Sequence, residues 1–591
     1  MCVDAGQKVD RGGQIVRVGG LRFSGILATG VVLALAGLIF RTRDTTTHAP
    51  LEVARRGGQL IASVRAEPRT LNGLVARDET SELLTVLTQA PLVRRNRATL
   101  ELEFWLAERA DTSADGRTHT LHLRPDVVWS DGTPFTSDDV VFTINAVSAP
   151  MFRSVRARAF AAAREEIRAT APDSRTVVLS FADSGGPGLA VLDALPIFPK
   201  HKLEVARAAG TLTDAWPLTS PAAEIAGTGP FVLHDYQPGR RVVLDRNLRY
   251  WRRARDGGLL PYLDRLVLEL VPNADDELRL LESGRIDAIE DALRPEGLAS
   301  ARRAAAGNRV ELLELGVAAD ADAFWFCLDP VAKKRDRRFS LVRDPEFRRA
   351  ISQAVDREAF AQTVFQGEAV PIWGPVTPGN RAWFTPSLPR YPPDLARSRE
   401  RLASIGLIDR DGNGIVEDPA GTEARFTVLT AGQPDPYLKG VTMLRDQAAK
   451  VGIRLEISVV EPAALERRRR ARDYEAIYAR LPATSLDPAD DLDFWLSSGA
   501  LHVWNPEQKT PATEWERQID RLMLEQISTA DPGRRRELFE AAQRLFAENL
   551  PALYFAAPRM YSAHSPRVSG VQPSVLRPFV LWNADSLAVA R

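Results

Sequence analysis

The segment from Thr118 to Val140 constrains the fold of this chain more than any other part of its sequence. Its first six residues alternate between two faces, as a half-buried strand requires. Residues 130–134, Ser-Asp-Gly-Thr-Pro, are typical of a tight turn. Thr136 and Asp139 have the spacing of a capping box ahead of an apolar run, so the sequence predicts a helix that begins at Ser137.

Strand and helix patterns alternate along the rest of the chain. Two alternating runs joined by residues 237–240 predict a β-hairpin within 227–251. A helix with proline in its first turn is predicted over 344–357, and two helices followed by a strand are predicted over 514–556. Such alternation favours an α/β architecture.

Length and composition limit the classes of protein that this chain can belong to. With 591 residues, the chain is long enough for more than one hydrophobic core, so we expect two or three lobes. Lys and Arg total 77, and so do Asp and Glu, so no overall positive field favours a nucleic-acid partner.

The N-terminal part of the sequence predicts export. Residues 23–40 contain no charge and follow a basic segment, residues 1–22, which we expect in the cytoplasm. We favour an uncleaved transmembrane anchor followed by a tether at 41–57, because the apolar run continues to Phe40 and stops sharply. The alternative is a signal peptide cleaved near Ala34-Leu35-Ala36. A lipoprotein would need a cysteine just after the apolar run, and none is there.

Several blocks besides 118–140 carry a shared set of motifs. They are EPRTLN at 67–72, GTGPFVLHDYQPGRRVVLDRNLRYW at 227–251, SGRIDA at 283–288 and DPEFRRAISQAVDR at 344–357. Together they resemble the motifs of the family 5 extracellular solute-binding proteins, the peptide- and nickel-type receptors of bacterial ABC importers.

The resemblance implies a two-lobe periplasmic-binding-protein fold of type II, the large peptide-receptor type with an extra subdomain. Ligand is expected in the cleft between the lobes, and the chain is expected to return to its first lobe at its end. In the implied division, lobe I consists of residues 58–90, 218–325 and 545–591. The extra subdomain of lobe I consists of residues 91–217, and lobe II consists of residues 326–544.

Motifs for catalysis are absent from the sequence. It contains no H-E-x-x-H, no G-x-S-x-G and no G-x-x-x-x-G-K-[ST]. His119 and His122 fall on opposite faces of one strand, which makes them poor joint metal ligands. We therefore expect neither an enzyme nor a cofactor.

Residues 409–417 resemble an EF-hand loop, with oxygen side chains at positions 1, 3, 5 and 9 and glycine at position 6. Position 12 is Ala420, where such a loop needs a bidentate glutamate. Hydrogen bonds that the aspartate side chains accept from their own loop explain the turn without a metal. We predict no metal ligands, and Ca²⁺ binding at this loop remains an open alternative.

Ligand-binding residues are expected on two segments. The resemblance places Asp487, with Asp490 in reserve, on the loop where an acidic side chain pairs with the α-ammonium group of a peptide. It also places Trp373 and Trp383 beside a cleft-side loop, and Trp495 is a further candidate for the cleft wall. The alternatives are an acidic surface loop for the aspartates and ordinary packing for the tryptophans.

The functional expectation combines these points. We expect a monomeric periplasmic or extracytoplasmic receptor, anchored to the cytoplasmic membrane where the apolar segment is retained, that captures di- to oligopeptides and delivers them to an ABC permease. No nucleic-acid partner is expected. The alternatives are a tethered signalling or scaffold protein with the same fold, and a receptor for nickel complexes or other small solutes.

Overall fold

The computed structural model describes residues 56–149, 167–181, 186–193, 195–330, 336–433, 435–481 and 486–590. The predicted anchor or signal peptide at 23–40, and the segments on either side of it up to residue 55, lie outside these ranges. Within the ranges, no helix combines the length and the apolar character that crossing a bilayer requires.

The strands and helices alternate as the sequence predicts. In chain order, the strands are β1 (Gln59–Val64), β2 (Val93–Arg95), β3 (Leu102–Phe104), β4 (Ala107–Thr112), β5 (Thr118–Leu123), β6 (Arg168–Asp173), β7 (Thr176–Ser180), β8 (Phe231–Gln237), β9 (Arg241–Arg246), β10 (Arg265–Leu270), β11 (Ala288–Ile289), β12 (Glu311–Val317), β13 (Ala321–Phe326), β14 (Ala369–Pro371), β15 (Arg425–Ala431), β16 (Arg454–Val460), β17 (Ala476–Leu481), β18 (Ala552–Tyr554), β19 (Ala556–His564), β20 (Val568–Ser569) and β21 (Ala588–Val589).

The α-helices are α1 (Glu79–Thr88), α2 (Ser137–Ser148), α3 (Lys200–Ala208), α4 (Ala274–Glu282), α5 (Pro295–Ala306), α6 (Arg338–Arg343), α7 (Pro345–Ala354), α8 (Arg357–Phe365), α9 (Leu395–Ser404), α10 (Asp435–Ala449), α11 (Pro462–Arg470), α12 (Leu492–Trp495), α13 (Glu514–Ile527) and α14 (Pro532–Asn549).

Lobe I is built on a mixed sheet with the strand order β12-β19-β11-β1-β10-β9-β8. β1 is parallel to both β10 and β11, whereas β9, β12 and β19 run antiparallel to their neighbours. β8 and β9 form the predicted hairpin. The buried side chains of this sheet join those of the extra subdomain in one hydrophobic core.

The extra subdomain of lobe I contains the sheet β4-β5-β7-β6. Here the prediction for residues 118–140 is confirmed: β5 alternates between buried and partly exposed residues, and α2 begins at Ser137. A carboxylate oxygen of Asp139 accepts the backbone N–H of Thr136 at 3.0 Å, which closes the capping box. His119 is buried in β5, whereas His122 on the other face is partly exposed.

Lobe II is built on the sheet β16-β15-β17-β13-β18. β15 is parallel to β16 and β17, and β13 is antiparallel to β17 and β18. Helices α6 to α14 surround this sheet, and its strands share a second hydrophobic core with them. The proline-started α7 and the pair α13 and α14 confirm the helices predicted in this half of the chain.

The chain passes between the lobes at two adjacent places. β12 belongs to lobe I and β13 to lobe II, while β18 belongs to lobe II and β19 runs into lobe I. The N–H of Ala318 donates to the carbonyl of Pro558 at 2.8 Å, so the two crossings lie side by side. The predicted lobe boundaries at residues 325 and 545 fall inside β13 and α14, which both belong to lobe II. We propose instead that the chain crosses between the lobes at residues 318–320 and at residue 555.

Candidate ligand-binding site

A cavity of about 140 Å³ opens in lobe I at the carboxyl ends of β1 and β11. In α/β sheets, ligands bind in the crevice beyond the carboxyl ends of the strands, because loops of variable length converge there. Val64 and Arg65 contribute from the end of β1, and Glu290 and Asp291 follow β11 directly. Further walls come from α1, from the segment 91–97 and from residues 577–585, and single residues such as Trp105, Asp193 and Tyr250 complete the lining.

Arginine side chains dominate the polar part of the cavity wall, and most of them are paired. Arg65 contacts Glu277 at 2.7 Å, and Arg577 contacts Asp291 at 2.8 Å. Arg95 lies 3.7 Å from a carboxylate oxygen of Asp193. These ion pairs fix the wall without leaving the paired groups free for a ligand.

Arg97 differs from its neighbours. Its guanidinium forms no ion pair with any residue in the described ranges, although the side chain is half-buried at the cavity. Burial lowers the pKa of Arg97, while the carboxylate of Asp193 acts in the opposite direction. An arginine in this situation can bind an external carboxylate, because folding has already removed much of the water around its guanidinium group and binding does not have to do so.

Aromatic rings form the apolar part of the wall. The guanidinium carbon of Arg94 lies 3.3 Å from the ring centroid of Trp105, and that of Arg252 lies 4.3 Å from the same centroid. The hydroxyl of Tyr250 donates to Asp585 at 3.0 Å. Burial, reinforced by that carboxylate, raises the pKa of Tyr250 well above its usual value, so the phenol remains a donor. The stack gives the cavity a rigid, flat side.

Glu290 ties the C-terminal segment to the sheet. Its buried carboxylate accepts the backbone N–H groups of Phe579, Val580 and Leu581 at 2.7, 3.3 and 2.9 Å. Burial raises the pKa of Glu290 to about 8, against the effect of the three N–H donors. The contact holds residues 577–585 against the end of β11, which positions Arg577 at the cavity.

The loop at 486–491 in lobe II carries the two predicted acidic ligands, Asp487 and Asp490, and their side chains lie in different environments. Asp487 is 5% exposed and accepts two hydrogen bonds from Arg535, at 2.6 and 2.9 Å, and one from the N–H of Ala489 at 3.0 Å. Arg535 of α14 is also buried. The Asp487 carboxylate is therefore occupied by partners within the protein.

Asp490 is placed differently, since its side chain is exposed and makes no ion pair with another described residue. It interacts electrostatically with Arg95 and Asp193, which belong to the cavity wall of lobe I. The pKa of Asp490 is raised to about 8, mainly because the surrounding protein desolvates the carboxylate, and further because Asp487 and Asp491 are close. Asp490 is therefore near the part of the cavity wall that carries Arg95 and Asp193, although it does not itself line the cavity.

The predicted tryptophans occupy three environments. Trp383 is half-buried, donates from Nε1 to the carbonyl of Leu486 at 2.9 Å and lies 5.3 Å from the guanidinium of Arg535, so it supports the 486–491 loop. Trp495 is 2% exposed and packs against Phe539 in the lobe II core, so its ring fills the core beneath that loop.

Trp373 packs elsewhere. Its ring lies between the guanidinium groups of Arg357 and Arg390, with centroid distances of 5.4 and 4.7 Å. The side chain is half-buried.

The lobes also touch beside the cleft. The N–H of Gly186 in the extra subdomain donates to the carbonyl of Ile527 at the end of α13, at 3.1 Å. A Cβ at position 186 would lie 2.1 Å from that oxygen, so only glycine allows this approach. The arrangement described here is therefore one in which the lobes are in contact.

Sequence reasoning missed the lobe I wall. Arg97, Glu290 and Trp105 were not predicted as site residues, although Arg94-Arg95-Asn96-Arg97 is a dense basic cluster directly after an apolar stretch. The position of Arg65 and of Glu290-Asp291 just beyond short strands was a second usable signal, because such positions converge at one edge of a parallel sheet.

Two lobes joined by adjacent crossings, with a polar cavity at the strand ends of lobe I, are the architecture of the periplasmic-binding-protein class. Residues 101–502 match the model of the bacterial extracellular solute-binding proteins, family 5 Middle. The chain belongs to this family.

Relatives and solved structures agree with that assignment. A probable ABC transporter-binding protein of Deinococcus radiodurans is 26% identical over 568 residues, which cover 92% of this chain and 94% of the relative. The oligopeptide-binding protein AppA of Bacillus subtilis, solved with a nonapeptide, aligns with a TM-score of 0.69 and 22% identity, covering 91% of this chain and 100% of that one. NikZ of Campylobacter jejuni, solved with Ni(L-His), aligns with a TM-score of 0.69 and 20% identity, covering 90% of this chain and 99% of that one.

Members of the family are non-enzymatic transport components that bind a solute outside the cytoplasm and act with ABC permeases. The two solved neighbours hold different ligands, a nonapeptide and a nickel complex, so the shared fold does not determine the solute.

Proposed function

We propose that this chain is the receptor of an ABC importer for a small peptide-like solute that carries both an ammonium and a carboxylate group. The observation that supports this proposal is the pair of charges left without ion-pair partners among the described residues: Asp490 on the lobe II side and Arg97 on the lobe I side. A zwitterion would satisfy both charges at once, with charge-assisted hydrogen bonds at each end.

In this proposal, Asp490 binds the ammonium group and Asp487 positions the loop. The charge of Asp487 is already compensated by the buried Arg535, so a ligand ammonium group would have to compete with that ion pair. Asp490 has no such ion pair among the described residues, and desolvation together with the neighbouring Asp487 and Asp491 raises its pKa. Trp383 supports the same loop through the carbonyl of Leu486.

The size of the cavity favours a short ligand. A water molecule needs roughly 10–15 Å³ by this measure, so a volume of about 140 Å³ corresponds to on the order of ten waters. That space suits a dipeptide or tripeptide better than a long peptide. Closure of the lobes over the ligand would then be a population shift, with the contact between Gly186 and Ile527 present in the closed state.

The cavity wall offers no typical ligand to a bare nickel ion, whereas a nickel complex that brings its own ligands is left to the binding experiment below. Among the described residues that line the cavity, none is a histidine, cysteine or methionine. Nickel and other transition metals prefer imidazole or sulfur ligands, whereas this wall offers guanidinium groups, carboxylates and indole rings.

The experiment is isothermal titration calorimetry of the purified protein with a panel of di- and tripeptides. Each peptide is tested free, N-acetylated and C-amidated, because acetylation removes the ammonium and amidation removes the carboxylate. We expect saturable binding of at least one free peptide and a loss of about tenfold or more for each blocked form. Equal binding of free and blocked forms would contradict the assignment of Asp490 and Arg97. If no peptide bound and Ni²⁺–histidine did, the peptide proposal would be contradicted.

Membrane attachment through residues 23–40 and a monomeric state also remain proposals. N-terminal sequencing of the exported protein tests the first, because an uncleaved anchor retains the original N-terminus. Light scattering of the purified protein tests the second.

A further inference from the structure

The segment from Asp409 to Glu423, here called the acidic loop, connects α9 to β15 in lobe II. Its apolar side is fixed in the protein: Val416 is buried, and its N–H donates to the carbonyl of Gly452 at 2.9 Å. Glu417 forms isolated β-bridges with Ile408 and Glu423. The polar side of the loop is therefore presented on a defined backbone rather than on a free coil.

Three carboxylates meet on that polar side. One oxygen each from Asp409, Asp411 and Glu417 lie within 4.8 Å of one another. Ca²⁺ binds oxygen ligands at about 2.3–2.6 Å, so two oxygens that share one ion are separated by at most about 4.8 Å when each bond is near 2.4 Å. The spacing is thus compatible with a single Ca²⁺ ion.

Glu417 supplies an independent indication of a missing ligand. The residue is 7% exposed, and its Oε2 is buried with no hydrogen-bond partner in the described part of the chain. Its Oε1 accepts the N–H of Arg410 at 2.8 Å. A buried carboxylate oxygen without a partner is unfavourable, and a cation bound between the three carboxylates would compensate it.

Nearby arginines do not neutralise the cluster. Arg410 directs its guanidinium to the carbonyls of Gly406 and Glu417, and it reaches no closer than 3.9 Å to the Glu417 carboxylate. Within the described ranges, neither Asp409 nor Asp411 forms an ion pair with a basic side chain. The negative charge of the cluster therefore remains available to an external cation.

We propose that the acidic loop binds Ca²⁺ through Asp409, Asp411 and Glu417, with water in place of the carboxylate that a loop of this kind normally has at position 12. Glu423 is not part of this set, because its carboxylate pairs with Arg425 at 2.9 Å and accepts the side-chain amide of Asn413 at 2.9 Å. A set of carboxylate oxygens on an adaptable loop suits Ca²⁺, whereas Mg²⁺ requires a near-ideal octahedron with shorter bonds.

The ion would hold the polar side of the loop in place, as packing against the lobe II core holds its apolar side. Loops that act in extracellular modules bind Ca²⁺ with dissociation constants of about 10⁻⁴–10⁻³ M, and we expect this site in that range. The role is structural, and it does not depend on which solute the interlobe cleft binds.

The test compares thermal unfolding and calorimetric titration of chelator-treated, dialysed protein in Ca²⁺, in Mg²⁺ and in NaCl of equal ionic strength. At about 10 mM Ca²⁺ we expect an increase in unfolding temperature of roughly 3–8 °C and one saturable binding event. An unchanged unfolding temperature, or an equal response to Mg²⁺ and Ca²⁺, would overturn the proposal.

Variants separate a metal site from a merely structural loop. Glu417→Gln keeps an oxygen for the N–H of Arg410 and removes the charge, so we expect a folded protein without a Ca²⁺ response. The matched control is Asp418→Asn, the same charge change in the same loop, at a residue that accepts the N–H groups of Ala420 and Thr422 instead. A wild-type Ca²⁺ response in Glu417→Gln, or a loss of the response in Asp418→Asn, would overturn the assignment of ligands.

Discussion

Two loops of lobe II are both rich in aspartate, but they differ in whether a basic side chain of the fold pairs with their carboxylates. In the 486–491 loop, Asp487 is neutralised by Arg535, a buried side chain from α14. In the acidic loop at 409–423, the exposed Arg410 binds mainly backbone carbonyls, and Asp409 and Asp411 have no ion-pair partner among the described residues. The comparison shows that a carboxylate becomes structural when the fold brings a buried cation to it. Where no such cation arrives, the carboxylate remains available to a ligand.

Removing the buried cation of the first loop should have the largest effect. Arg535→Ala leaves Asp487 as an uncompensated buried charge, and breaking one side of a buried pair costs about 3–5 kcal/mol. We expect a loss of that size in the free energy of unfolding, measured by urea denaturation. The control is Arg534→Ala, whose ion pairs with Glu525 and Glu537 are exposed and contribute about 1 kcal/mol or less. Equal losses in the two variants would show that Asp487 does not need its partner.

Removing the free carboxylate of the same loop should affect binding rather than stability. Asp490→Asn retains the shape of the side chain but removes the charge, so we expect the affinity for a free dipeptide to fall by about ten- to a hundredfold. Stability should not fall, because this carboxylate has no ion-pair partner in the described structure. Calorimetry gives the affinity, and Glu537→Gln, an exposed site in α14, serves as the control. An unchanged affinity would mean that a group other than Asp490 binds the ammonium group.

The sequence predicted the elements that short segments encode. The strand, turn and capped helix over 118–140, the β8–β9 hairpin and α7 depend on neighbours a few residues apart, and the structure confirms them. The environment of Asp487 was not predictable in this way, because its partner Arg535 lies 48 residues further along the chain.

The same limit explains the tryptophans. Trp495 follows an acidic turn in the sequence, but Phe539 of α14 covers it, and only the tertiary structure brings the two rings together. Local composition therefore predicted where the polar loops are, and long-range packing decided which of their side chains remain accessible.

Closure of the cleft can be tested at Gly186. Gly186→Ala places a Cβ 2.1 Å from the carbonyl oxygen of Ile527, so the lobes cannot approach to the same extent. We expect ligand affinity to fall by about tenfold, because the closed state becomes less populated. Small-angle scattering of the liganded variant should report a larger radius of gyration than wild type. Gly297→Ala is the matched control, since a Cβ there meets nothing within 4 Å. Similar affinities in wild type and Gly186→Ala would mean that this contact does not limit closure.

The pH dependence of binding should give the smallest effect and separates the two aspartates most directly. The pKa of Asp490 is raised to about 8, mainly by desolvation, so its carboxylate is increasingly protonated as the pH falls from 8 to 6. Only the ionised form pairs with an ammonium group, and the affinity for a free peptide should therefore decrease in that direction. Because the side chain is exposed, solvent screening limits the effect to about three- to fivefold. Calorimetry at pH 6, 7 and 8 measures the change, and the Asp490→Asn variant reports what remains from titration of the ligand's own amine. If wild type and variant follow the same pH profile, Asp490 does not bind the ammonium group, and the contrast between a committed Asp487 and an available Asp490 would lose its functional meaning.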